Sequence, residues 1–102
     1  MFTLKSLEKI IAERSGQSPE NSYTSALLAK GTAKCAEKFG EEAIEAIIAA
    51  AQGNKAELTN EVADVLFHLL VMLKSADVNF SEVLDELERR TARSGHAEKA
   101  SR

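Results

Sequence analysis

The residues of this sequence that could do chemistry are five carboxylates in two short runs. Glu41, Glu42 and Glu45 lie in Glu41-Glu42-Ala43-Ile44-Glu45, and after fifteen intervening residues come Glu61 and Asp64 in Glu61-Val62-Ala63-Asp64. At about 100° per residue on a helix, Lys34, Lys38, Glu41, Glu42 and Glu45 fall within an arc of roughly 100°, with Phe39, Ala43, Ala46, Ile47 and Ala50 opposite. Glu57, Glu61, Asp64 and His68 share an arc of about 60° on the next helical stretch. There, Asp64 and His68 are the only polar residues between Val62 and Leu73. A solvated acidic face is the plain reading of acids at helical spacing. Against it, the pattern repeats on successive helices, and apolar residues surround both runs, from Ala46 to Ala51 without a break. Both stripes are therefore expected to point into the protein and face one another. Carboxylates buried together are costly unless cations neutralise them. Hard oxygen ligands in a cluster suit Mg²⁺ or Mn²⁺, whereas zinc prefers His and Cys. An acidic metal centre is the expected chemistry.

Two helices must carry these residues. Thr32 is placed to cap one that runs to about Gln52 and stops at Gly53. Asn54 followed by Glu57 reads as a capping box that opens the next, which reaches about Ser75. The short turn between them makes the two antiparallel neighbours. Before them, Phe2, Leu4, Leu7, Ile10 and Ile11 follow helical spacing from about Thr3 to Gly16. A polar loop from Gly16 to Asn21 holds the only proline, and a short helix from about Ser22 to Lys30 ends at Gly31. Ser81 opens a last helix, with Phe80, Val83, Leu84 and Leu87 on one stripe, and the tail from Ser94 reads as irregular. No segment reads as strand. The expectation is an all-α bundle of about five helices, one domain over residues 1–102, whose central two helices carry the acidic site.

Composition narrows the class. Hydrophobic residues at 44% and charged residues at 28% are ordinary for a globular chain, and abundant Ala with a single Pro suits close helix packing. A formal charge of −3 is no nucleic-acid footprint, yet an anionic substrate needs only local positive charge. The single cysteine, Cys35, leaves no internal disulfide and fits a reducing compartment; inside a helical pattern it reads as buried and inert. No apolar run approaches the ~18 residues of a membrane span, and no basic-then-apolar leader opens the chain, so a cytoplasmic protein is expected. The two central helices are apolar on more than one face, and about 100 residues cannot easily cover both alone. A homodimer, or a larger even-numbered oligomer, is expected.

The acidic pattern resembles the EExxE…ExxD signature of the all-α NTP pyrophosphatase superfamily. The surrounding runs Ser22-Tyr23-Thr24, Lys30-Gly31-Thr32-Ala33-Lys34-Cys35, Glu37-Lys38-Phe39-Gly40-Glu41-Glu42 and the tail from Ser94 to Arg102 are similar to phosphoribosyl-ATP pyrophosphatases, from Leu4 to the end. That resemblance implies hydrolysis of phosphoribosyl-ATP to phosphoribosyl-AMP and pyrophosphate, the second step of histidine biosynthesis, by a helical homodimer. Some relatives carry a fused cyclohydrolase, for which a chain of 102 residues has no room, so the form without it is expected. Glu41, Glu42, Glu45, Glu61 and Asp64 would hold one or more Mg²⁺ ions against the phosphates. Glu41 or Glu42 would take the proton of the attacking water.

The cations have two readings each. Lys34 and Lys38 share the acidic stripe and can reach substrate phosphates, or pair locally with Glu37, Glu41 or Glu42. Lys30 is a further substrate candidate, and Lys99 and Arg102 either close over phosphates or belong to a solvated terminus. His68 could orient a metal ligand, or be a core histidine bonded to its neighbours. Tyr23 could stack on adenine or anchor the short helix. A house-cleaning dNTP pyrophosphatase of the same superfamily would share the metal chemistry. A ferritin-like di-iron bundle would call for Glu-x-x-His pairs, and a non-enzymatic metal-binding helical bundle would leave the inward acids without a purpose.

Overall fold

The computed structural model describes residues 1–92, which form five helices. These are α1 Leu4–Ser15, α2 Tyr23–Ala29, α3 Thr32–Ala51, α4 Lys55–Ser75 and α5 Phe80–Thr91. Local chemistry sets where each begins. Thr3 and Ser6 cap α1 reciprocally, each side-chain oxygen accepting the other's N–H at 3.1 Å. Ser22 opens α2 by accepting the Ser25 N–H at 3.1 Å.

Two helix starts, and the capping box expected at a third, depart from the sequence reading. The cap of α3 is Gly31, at φ 95° and ψ 168°, a region that essentially only glycine enters. Thr32 is the first helical residue, and its hydroxyl instead donates to the Ser75 carbonyl at 3.1 Å, tying the start of α3 to the end of α4. At α4, Asn54 Oδ1 accepts the Glu57 N–H at 3.0 Å, as a cap should. The Asn54 N–H, however, goes to the Ala49 carbonyl at 3.1 Å, so the Glu57 carboxylate has no capping work to do. The cap of α5 is Asn79, not Ser81, and the Glu82 carboxylate accepts its N–H at 3.1 Å. Glu8 on α1 accepts the Phe80 N–H at 3.2 Å, which docks the start of α5 on α1.

The helices α3 and α4 form a long antiparallel hairpin, and the other three gather round one end of it. Ile11, Leu27, Cys35, Leu70, Val71 and Phe80 make the core, with Leu7, Leu28, Phe67, Met72, Leu73 and Val83 packed against them. The α3 and α4 members of that core are Cys35 and residues from Phe67 onward. The rest of the hairpin projects past it, leaving Ile44, Ile47, Ile48 and Val62 exposed by 58, 65, 50 and 41%. The radius of gyration, 15.7 Å, reflects that projection; a compact chain of this length has about 13 Å. Among the described residues, no helix is long and apolar enough to cross a membrane.

Candidate active site

Where the hairpin leaves the core, α3 and α4 bring three of the five acids together. Glu42 and Glu45 lie one turn apart on α3, Glu61 faces them from α4, and one carboxylate oxygen from each lies within 4.8 Å of the others. Glu45 and Glu61, with Glu57, Ile48, Ala49 and Gln52, also line an open cleft of about 310 Å³.

The electrostatics of this cluster call for a positive charge. Glu61 Oε2 is covered and has no hydrogen-bond partner among the described residues. The pKa of Glu61 is raised from 4.5 to about 8, first by hydrogen bonds to Glu57 and Glu45, then by burial and by the charges of those two acids. Such bonds between carboxyl groups exist only while a proton is present. Glu42 is also raised, by burial first and then by the charges of Glu45 and Asp64, with His68 opposing. An ionised Glu61 therefore leaves a covered oxygen unsatisfied among like charges, and either a proton or a cation must fill the gap. The oxygen donor set fits a divalent metal ion.

The remaining expected residues are placed less centrally. Asp64 is exposed and acts on Glu42 through its charge, without joining the three converging oxygens. Glu41 is exposed and accepts from Lys38 Nζ at 3.3 Å. Lys34 pairs with Glu37 at 3.2 Å, so both lysines adopt the local pairing that the sequence offered as the alternative. Lys30 is the exposed C-cap of α2. Lys99 and Arg102 lie outside the described residues. The expectation that both stripes point inward needs correction, because Glu41, Glu45 and Asp64 are exposed. The hairpin has run past α1, α2 and α5 at this point, so nothing among the described residues covers them. Glu57 is the site residue that sequence reasoning passed over. Its signal was its place on the Glu61 arc, one turn earlier.

His68 is buried and doubly bonded. Its Nδ1 lies 2.9 Å from the Asp64 carbonyl and its Nε2 3.2 Å from the Tyr23 hydroxyl. A carbonyl only accepts, so Nδ1 carries the proton, and in the neutral ring Nε2 accepts from Tyr23. This is the core histidine of the two readings, pinned by a backbone group and a side chain.

Known proteins share this arrangement of sequence. The family described as Phosphoribosyl-ATP pyrophosphohydrolase matches residues 4–91. A phosphoribosyl-ATP pyrophosphatase of Dinoroseobacter shibae is 62% identical, covering 100% of both chains. Those of Paracoccus denitrificans and Rhizobium etli are 60% and 57% identical, over 97% and 99% of this chain and 92% and 94% of theirs. With the match running through all five helices and the converging acids, the chain belongs to the phosphoribosyl-ATP pyrophosphohydrolase family.

Proposed function

We propose that the chain hydrolyses phosphoribosyl-ATP to phosphoribosyl-AMP and pyrophosphate, cutting between the α- and β-phosphates, as a cytoplasmic step of histidine biosynthesis. The observation that carries this reading is the covered, partnerless Glu61 oxygen among Glu42 and Glu45. It supports a cation site in a chain whose near full-length relatives are named for that reaction.

Glu42, Glu45 and Glu61 would hold Mg²⁺, or Mn²⁺ in its place, with Asp64 one turn from Glu61 as a further ligand. Bound there, the ion offsets charge on the phosphate oxygens at the bond that breaks. Glu41 stands apart from the converging three and, once Lys38 turns to phosphate, would take the proton of the attacking water, with Glu42 the second candidate. Lys34 and Lys38 exchange their present partners for phosphate at little cost. Exposed i,i+3 ion pairs such as theirs contribute about 0–1 kcal/mol. Lys30, Lys99 and Arg102 supply further positive charge to the triphosphate. Two copies of the one-domain chain pair through Ile44, Ile47, Ile48 and Val62, which closes the side of the site left open in one chain.

Incubation of purified protein with phosphoribosyl-ATP and Mg²⁺, followed by product identification, tests the reaction. Phosphoribosyl-AMP with pyrophosphate is the expected result. Release of orthophosphate, or hydrolysis of dNTPs with phosphoribosyl-ATP untouched, overturns it.

A further inference from the structure

An aromatic cluster between α2 and α4 has no part in the metal chemistry. Tyr23 is held at two points. Its hydroxyl donates to His68 Nε2 at 3.2 Å, and its ring stacks on Phe67 with centroids 6.4 Å apart and planes 26° from parallel. His68 is fixed in turn by the Asp64 carbonyl and by edge contacts with Phe67 at 5.2 Å and Tyr23 at 6.1 Å. A ring so firmly held is nevertheless 57% exposed. Anchoring α2 does not account for that exposure, since Ser22 caps the helix and Thr24, Ser25 and Leu27 already bury its inner side. The ring is also joined to the acidic stripe of α4 through His68, whose Nδ1 donates to the Asp64 carbonyl at 2.9 Å.

We propose that the exposed face of Tyr23 is the stacking platform for the adenine ring of the substrate. The base is then recognised from α2 while α3 and α4 hold the phosphates. This rests on the functional reading above and adds the residue that seats the base. A planar ring with its hydroxyl tied down loses little freedom when a second ring stacks on it. Removing such a platform weakens binding of a stacked base roughly ten- to hundred-fold.

The test measures binding of two probes, AMP and pyrophosphate, to the full chain with Mg²⁺ by calorimetry. Tyr23→Phe keeps the ring and loses the hydroxyl, whereas Tyr23→Leu keeps an apolar contact on Phe67 and loses the π face. Tyr23→Met replaces the Leu variant if that one does not fold. The expected result for Tyr23→Leu is an AMP Kd raised at least about tenfold with the pyrophosphate Kd unchanged. KM for phosphoribosyl-ATP should rise by a similar factor while kcat changes little. Tyr23→Phe should retain AMP binding and lose only melting temperature. Equal AMP affinity in parent and Tyr23→Leu overturns the proposal, as does a parent that binds no AMP. AMP and pyrophosphate weakening together also overturns it, because Tyr23 would then organise the whole site. Tyr23-dependent AMP binding without turnover of phosphoribosyl-ATP upholds the platform and overturns only the reaction.

Discussion

Glu61 binds its proton more tightly in the folded chain than in the unfolded one, since its pKa rises from 4.5 to about 8. Folding therefore takes up a proton between those two values, and the stability of metal-free protein falls as pH rises through that window. A melt series in EDTA at constant ionic strength should show this decline, and Glu61→Gln should flatten it. Mg²⁺ displaces the proton, so its binding should strengthen with pH up to about 8 and release acid on the way. A parent melting temperature that climbs across the window would remove Glu61 as the strained acid. Glu45→Gln relieves repulsion at nearly constant volume. It should leave the apo protein at least as stable as the parent and abolish the rise in melting temperature that Mg²⁺ gives the parent. The same variant, and Asp64→Asn, should lose Mg²⁺-dependent activity by more than about a hundredfold, the upper end for removing a group that merely supports a ligand. Helical periodicity made the acids legible as a set, but not which of them converge. Glu41 lies about 100° round the helix from Glu42 and pairs with Lys38 instead of converging, and Glu57 was assigned to a cap that Asn54 fills without it.

Each helix was legible from its breakers and its apolar spacing, while the caps of two of them, α3 and α5, were not. Gly31 and Thr32 are both plausible caps in sequence, and the choice depends on a backbone angle that only the packed chain reveals. The Thr32 hydroxyl reaches Ser75, and Glu8 reaches Phe80, across 43 and 72 residues, and local patterns carry no trace of such pairs. The Gly31 geometry gives a clean test of the α2–α3 junction. A Cβ there would meet nothing within 4 Å, so the cost of Gly31→Ala is backbone strain alone, about 1–3 kcal/mol. A thermal melt should show a loss of roughly 4–8 °C per kcal/mol in a chain of this size. Gly16→Ala is the control. Gly16 has φ −83°, and an added Cβ would sit 3.5 Å from the Glu13 carbonyl in ordinary contact, so little change is expected. Equal effects from the two substitutions would mean that the strained cap is wrong.

A hairpin that outruns its own core is the largest feature of the molecule. The sequence foreshadowed it through helices apolar on several faces, although nothing local told which end would be left bare. With Ile44, Ile47, Ile48 and Val62 exposed together, Ile47→Glu should turn a dimer into a monomer in light scattering and lower activity in proportion. A parent already monomeric at micromolar concentration would refute the pairing. Below that bare region, Cys35 is fully buried, with Sγ 3.5 Å from the Leu27 carbonyl. As the only thiol in the chain, it can be alkylated only when the core parts around it, so its labelling rate counts those openings one by one. The acidic cluster begins about 10 Å further along the same helix. Labelling that slows with Mg²⁺ in step with the gain in stability would mean that α3 opens as a single cooperative body. Labelling indifferent to Mg²⁺ would mean that the base of the hairpin breathes on its own schedule, leaving the catalytic end assembled while it does so.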